Sequence, residues 1–316
     1  MGINRFAFII PYFGKLPHWF QFWLNSCGNN PHIDWLLFTD DHYPFRYPKN
    51  VLVHYCSFED IRQLVQNNFD FEITLHKPYK LCAYKPAYGE IFSKFLLDYD
   101  FWGYCDIDLI WGNLEKWLRR EEVFEYDRIS HWGHCSLYRN NKESNAIYRI
   151  KVEGVNYYKD IYTNSSINGF DEECGMNVIT RAIGIKEYII PFIDVKPSLL
   201  SYGLTPTFTS DPFLPDIVDQ MCFSVNKENL TMFAMTDDGN LFSKDFAYVH
   251  LQRRKIAVEV NDTVDQYLIV PNKFIPFENV NIDFIKKNTP SPAKEFLKHK
   301  LTIWKSRFNV IKNKVF

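Results

Sequence analysis

Asp106 and Asp108, separated by one apolar residue, are the pair whose spacing points most directly to chemistry. They follow Phe101–Tyr104, an aromatic run suited to a buried strand. On a strand, residues i and i+2 share a face, so both carboxylates would project together from the strand's end. Two negative charges aimed at one point raise a pKa or require a cation, and oxygen ligands of this kind suit Mg²⁺ or Mn²⁺. The competing assignment is a pair of solvated loop acids, the commoner fate of an Asp-x-Asp triplet. Gly112 is expected to make a tight turn, with Asn113 capping a short helix through Trp117 and Leu118.

Three further groups carry reactive side chains. Lys80 and Lys85 sit just ahead of Pro86, which is predicted to open a helix to about Leu97. A helix start with lysines beside it binds anions, unless both lysines are simply solvated. Asn168-Gly169-Phe170-Asp171-Glu172-Glu173 precedes an amphipathic run, Met176–Ile183. Three acids at a helix start satisfy the helix dipole, or one of them serves as a base, with the Gly-Phe pair letting the loop approach a sugar. Tyr248–Lys255 places His250 and Gln252 on one strand face and follows them with Arg253, Arg254 and Lys255. The group suits a diphosphate, with His250 as a metal ligand, or else is a structural histidine before a solvated cationic run.

The elements that must position these residues read as α/β. Phe6–Phe13 is a near-continuous apolar run, as expected of a strand covered on both faces. Pro17 opens a helix to about Cys27, and Gly28-Asn29-Asn30-Pro31 ends it. Asp34–Asp40 and Val51–Cys56 are predicted strands, and Ser57 with Asp60 forms a capping pair for a helix to about Asn67. This order suggests parallel neighbours with right-handed crossovers. Such sheets bind ligands outside the carboxyl ends of their strands, where Tyr12, Asp40 and Asp106 all fall. Arg128–Trp132 and Ser136–Arg139 read as strands and Lys142 to about Ile150 as a helix. The Pro-rich stretch Ile193–Asp219 reads as a loop-rich insertion, a lid or acceptor platform. Thr231–Met235 and Phe246–Leu251 are expected to be the two arms of a hairpin around Asp237-Asp238-Gly239-Asn240.

Composition bounds the function. With 316 residues, 46% of them hydrophobic, the chain can bury a large core, as one domain or a domain with an accessory. A net charge of −2 argues against a nucleic-acid binder. The charge is uneven: Lys286–Phe316 holds nine Lys/Arg and one acid, +8, leaving −10 for the rest of the chain. Seven scattered cysteines without a Cys-x-x-Cys pair argue against zinc and a disulfide framework and favour a reducing compartment. No run of 18 apolar residues is present, and the apolar N-terminal stretch reads as a first strand rather than a signal peptide. In the tail, Leu297, Leu301, Trp304, Phe308, Ile311 and Val315 form one apolar helical seam with lysines elsewhere on the wheel. Such a basic amphipathic helix docks on protein or lies on an anionic membrane surface, and its one-signed charge favours the membrane.

The order of buried strand, acid after strand two, Lys-Pro segment and the block Asp100-Phe-Trp-Gly-Tyr-Cys-Asp-Ile-Asp-Leu-Ile-Trp-Gly112 resembles bacterial glycosyltransferases of the GT-A fold from surface-polysaccharide gene clusters. Among these it looks most like the inverting galactofuranosyltransferases, over roughly residues 5 to 255. The resemblance implies a GT-A catalytic domain over 1–280, with a donor-binding half to about 118 and an acceptor half over 119–280, followed by the basic tail 281–316. It implies a UDP-sugar donor, a divalent cation and an oligosaccharide acceptor, lipid-linked in such pathways. The protein would then be cytoplasmic, at the inner face of the cytoplasmic membrane. Tyr12, Asp40 and Lys80 would line the donor site, Asp40 touching the nucleoside. Asp106 and Asp108 would hold ribose and metal, and His250 would complete the metal shell. Lys85, Arg253, Arg254 and Lys255 would face the departing diphosphate, and Asp171 or Glu172 would be the base. Galactopyranosyl or glucosyl transfer is a near rival, and a non-catalytic nucleotide-sugar or carbohydrate-binding protein is the alternative of a different class.

Overall fold

Phe6–Pro11 (β1) forms the centre of the first sheet because alternate residues feed two cores. Ala7 and Ile9 pack with Leu36, Phe38 and Tyr104 on one side. Phe6 and Phe8 stack on Phe101 and Trp35 on the other. The structure, a computed structural model, describes residues 5–166, 169–172, 174–195, 217–252, 254–289 and 297. The chain divides into two units. The first takes the described residues through Leu109 together with Leu114–Ile190, and the second takes Ile110–Asn113 together with the described residues from Pro191 onward. The two units part at Ile190, strands beyond residue 118 completing the first sheet.

The strands from there are β2 (Ile33–Thr39), β3 (Val51–Tyr55), β4 (Phe101–Cys105), β5 (Leu109–Trp111), β6 (Arg128–Trp132), β7 (Cys135–Arg139) and β8 (Glu187–Tyr188). The first unit's sheet runs β3-β2-β1-β4-β7-β6-β8. β1 pairs in parallel with β2 on one side and β4 on the other, β2 in parallel with β3, and β4 and β6 antiparallel to β7. The sheet is thus mixed, its parallel half holding a switch point between β1 and β4. There β1 runs on to β2 on one side while β4 lies on the other, and sheets of this kind bind ligands beyond the carboxyl ends at such a point. Helix Phe58–Gln66 begins with the predicted capping box, the Ser57 hydroxyl accepting from Asp60 N and the Asp60 carboxylate from Ser57 N.

In the second unit β9 (Phe192–Asp194), β10 (Ile217–Asn226), β11 (Leu230–Thr236), β12 (Leu241–Phe246), β13 (Tyr248–His250), β14 (Ala257–Val258), β15 (Gln266–Val270) and β16 (Lys273–Pro276) form two sheets. One runs β12-β11-β10-β15-β16-β14 and the other β5-β13-β9. The larger packs Cys222, Leu268 and Ile275 against Phe284 and Ile285 of helix Ile282–Asn288. Among the described residues no helix is long and apolar enough to cross a membrane.

Several elements differ from expectation. Pro86 does not open a helix to Leu97. It lies inside a 3₁₀ helix, Pro78–Ala87, followed by only one α-turn, Tyr88–Ile91, and a 3₁₀ turn, Ser93–Phe95. Lys142–Ile150 divides into an α-turn, Lys142–Asn145, and a 3₁₀ turn, Ile147–Arg149. Asn113 does not cap the helix Glu115–Leu118. Asn30 does so from afar, its Oδ1 accepting from Leu114 N at 2.7 Å and Glu115 N at 3.3 Å. The hairpin after β11 returns as β12 rather than as Phe246–Leu251, because Asp237–Asn240 makes a tight connection with Gly239 at φ +84°. Ile193 and Asp194 are strand residues of β9 and Asp219 of β10, while 196–216, the rest of the expected insertion, lies outside the described residues. Most of the basic tail 281–316, namely 290–296 and 298–316, lies outside them too.

Candidate functional site

β4 is buried along its whole length and ends at Cys105, one residue before the carboxylate pair. Asp106 and Asp108 therefore sit in the short link between β4 and β5, not on the strand. Their carboxylate oxygens nevertheless lie within 4.8 Å of each other. The link is held by the β6–β7 hairpin, whose tip is Gly133-His134: Asp106 N donates to His134 O at 2.9 Å. A register shift between Ile129 and Trp132, with Ser130 at φ +58°, bends β6 into this tip.

Lys85 connects the parts of the site. Its ammonium lies 2.8 Å from Asp106 Oδ1, 2.6 Å from Gly133 O and 3.3 Å from Asp171 Oδ2. Three acceptors match the three protons of an ammonium. Burial opposes its charge, but Asp106 and Asp171 overcome that and hold its pKa well above the ordinary value. The expectation of lysines at a helix start fails in its geometry: both lie inside the 3₁₀ helix and are buried. Lys80 Nζ donates to the carbonyls of Ile161 and Ser166 at 3.3 and 3.2 Å, so it pins the 161–166 loop within the protein. Burial lowers its pKa.

Asp171 and Glu172 do not begin a helix. The helix starts at Met176, no acid lies in its first turn, and Gly175 forms the turn before it. The two neighbours separate: Asp171 is 3% exposed and Glu172 faces solvent. Burial pushes Asp171 up to about 6, against the pull of Lys85, and the charges of Asp106 and Glu172 add to the rise. A Cβ at Gly133 would stand 2.7 Å from Glu172 Cγ and 3.2 Å from Asp171 Oδ2. Gly133 thus makes room for both candidate bases. Asn168 and Glu173 lie outside the described residues.

At the ends of β1 and β2, Asp40 accepts from Gly14 N at 2.7 Å and Asp41 from Leu16 N at 2.8 Å. These bonds tie the two strand ends into one rim. Tyr12 stands on that rim; burial, then the charges of Asp41 and Asp108, raise its pKa. Tyr12, Asp40, Asp106 and Asp108 thus all follow the carboxyl ends of β1, β2 and β4.

The set fits a hard divalent cation. Asp106, Asp108 and Asp171 set three carboxylates against one ammonium, and oxygens of Asp106 and Asp108 lie within 4.8 Å of each other, a donor set of the kind that hard divalent cations take.

The second unit holds the other predicted residues. His250 and Asp194 are 6% and 8% exposed, and Asp194 Oδ1 lies 3.1 Å from His250 Nδ1 and accepts from Gln252 Nε2 as well. Arg254 is buried and donates to Asn272 Oδ1 at 3.1 Å, so its guanidinium is committed at least in part to a structural bond. Lys255 is exposed, and Arg253 lies outside the described residues.

Residues 8–278 match the model of a family described as a family of unknown function, DUF6625. The chain belongs to this family. A comparison with curated proteins found no match. Within this DUF6625 chain, Gly133, His134 and Asp194 were not foreseen. Gly133-His134 carries the signal of a two-residue turn between strand-like runs, but nothing local says that the turn reaches Asp106. Asp194 opens a Pro-rich stretch and has no local signal.

Proposed function

We propose that this protein is an inverting GT-A-type glycosyltransferase that moves a hexose, galactofuranose first among the donors, from a UDP-sugar to a saccharide acceptor of a bacterial surface polysaccharide. The observation that carries the reading is the Asp106/Asp108 pair, its oxygens within 4.8 Å, just beyond the β1/β4 switch point. Both carboxylates would hold Mg²⁺ or Mn²⁺, which when bound offsets the charge of the departing UDP. Lys85 fixes Asp106 from behind and adds positive charge. Tyr12 and Asp40 line the rim for the nucleoside. In the single displacement the acceptor oxygen bonds to the anomeric carbon as its bond to the diphosphate oxygen breaks. UDP departs with the bonding pair, and the acceptor proton passes to the carboxylate of Asp171 or Glu172. Asp171, titrating near 6, is mostly ionised at neutral pH and suits a base, while exposed Glu172 is the more accessible to an acceptor. The basic tail as a contact for anionic membrane belongs to the same proposal.

The test is UDP release from a panel of UDP-sugars, with saccharide acceptors, in Mn²⁺ or EDTA. Metal-dependent release from one donor, lost in Asp108→Ala together with metal-dependent UDP binding, is the expected result. A folded wild-type protein that binds no UDP in the presence of Mn²⁺ would overturn it.

A further inference from the structure

We propose that β3 is the strand through which two copies of this chain pair, edge to edge about a twofold axis, joining their first sheets into one. The inference is independent of the reaction proposed above.

β3 is the outer strand of the first sheet, beside β2. Trp35 N donates to Asn50 O and Cys56 N to Thr39 O, so the even-numbered residues from Asn50 to Cys56 bond towards β2. Val51, Val53 and Tyr55 therefore turn their N–H and C=O groups outward. Val51 N is taken by Pro48 O at 3.0 Å, but among the described residues nothing bonds to the outward groups of Val53 and Tyr55. Sheet edges are commonly guarded by shortness, charge, proline or a bulge. β8, at the other end of this sheet, has two residues, as has β14 in the second unit, and β12 carries Lys244 and Asp245. β3 has none of these guards. It is five residues long, Val-Leu-Val-His-Tyr, and its register with β2 runs unbroken from Val51 to Tyr55. Leu52 and Tyr55 on it are 39% and 50% exposed.

The occupant that fits this edge is a second copy. Antiparallel pairing centred on Val53 sets Val53 opposite its twin and Val51 opposite Tyr55, all residues whose backbone groups face outward. Val53 N then meets Val53 O of the second copy, and Tyr55 N meets Val51 O, and the axis repeats both bonds. Val51 N, already bonded to Pro48 O, is the donor that this pairing leaves aside. Leu52 comes to lie opposite His54 of the second copy. Charge agrees with the antiparallel sense. Exposed Lys49 precedes the strand and exposed Asp60 follows it, its carboxylate held 2.8 Å from Ser57 N. The axis sets Lys49 opposite Ser57 and so beside Asp60, whereas a parallel pairing would bring lysine to lysine. The contact is isologous and closes with two copies. The carboxyl ends of β1, β2 and β4 then point in opposite directions in the two copies, so neither rim faces the other.

Sedimentation velocity of the full chain across micromolar concentrations, with amide exchange read over β3, tests the pairing. Wild type is expected to form a dimer as concentration rises, with exchange at Val53 and Tyr55 slowing as it forms. Val53→Pro removes an outward N–H and none of the bonds to β2, and edge strands tolerate proline at such positions. It should keep the fold and weaken the dimer at least roughly 30-fold. Lys49→Glu changes only an exposed side chain and should weaken the dimer roughly tenfold at low salt and less at high salt. Wild type that stays monomeric, a dimer whose formation leaves exchange in β3 unchanged, or a dimer whose affinity either folded variant leaves unchanged would overturn the inference. If Val53→Pro fails to fold, Lys49→Glu and the wild-type exchange still decide it.

Discussion

Asp171→Asn tests the electrostatics of the first unit without reference to any substrate. The carboxyl is buried, and burial raises it from the ordinary 3.8 to about 6 even with Lys85 at 3.3 Å. A folded pKa above the unfolded one means that the native state binds the proton more tightly. Its stabilising contribution is therefore complete below about pH 3.8 and is lost as pH rises through about 6. The difference is about 2 pH units, and at about 1.4 kcal/mol per unit it amounts to about 3 kcal/mol. Asparagine keeps the shape and does not titrate. The stability of wild type minus that of Asp171→Asn should then fall by about 3 kcal/mol between about pH 3 and 7 and stay level above. Urea unfolding across that range measures it, with amide exchange in β1 and β4 assigning the transition to the first unit. A difference that stays flat across the range, or rises with pH, refutes the assignment of a raised pKa to Asp171.

Lys85→Met leaves Asp171 buried without its ammonium and Gly133 O without its donor. It should cost about 3 kcal/mol at pH 7.5 and much less at pH 5, where Asp171 takes up a proton; paired unfolding curves check this. The Asp106 side of the bond, 40% exposed, adds little to that figure. Gly133→Ala places a Cβ 2.7 Å from Glu172 Cγ and 3.2 Å from the buried Asp171 Oδ2, so both side chains must shift and the fold should lose about 1–2 kcal/mol. UDP release should nonetheless fall at least roughly tenfold if Glu172 or Asp171 is the base, with UDP affinity kept. Asn30→Ala removes a buried cap from helix Glu115–Leu118 and a bond to Ser26 O, and should destabilise the first unit by about 2 kcal/mol in urea unfolding.

The parts of this fold that were legible in the sequence are those whose cause is local. β1 and β2 show as apolar runs because each is covered by neighbours, β3 shows as a short apolar edge strand, and the Ser57–Asp60 box is written in four consecutive residues. The pairing of Asp106 with Asp108 was likewise legible, though not their place beyond the strand, since the strand's end is set by its pairing with β7. The 3₁₀ course of Pro78–Ala87 was hidden, because burial of Leu81, Ala83 and Tyr84 decides it rather than the prolines. The helix after the three acids begins at Met176, where its amphipathic run does, but the turn that parts it from the acids was not legible: Met176 N donates to Phe170 O at 2.8 Å, and a Cβ at Gly175 would stand 2.3 Å from Phe170 O. Lys80, Lys85 and Asp194 could not be placed by any local rule. Their partners, Ile161, Asp171 and His250, lie some 55 to 85 residues away in sequence, and burial of a charge is a property of what arrives around it.

The assignment of Ile110–Asn113 to the second unit bears on how the chain can be made. Ile110 and Trp111 are fully buried, and Trp111 meets the ring of Tyr248 at 5.3 Å. During synthesis this strand leaves the ribosome well over a hundred residues before β13, its neighbour in the sheet. At about 5–20 residues per second, the apolar triplet Leu109-Ile110-Trp111 waits many seconds for its partner, next to the Asp106–Asp108 link. A chain stopped at Ile190 would carry that strand with nowhere to pair, and would be expected to aggregate or to need a chaperone even though its own sheet is complete. Release of the second half is therefore a condition for the solubility of the first.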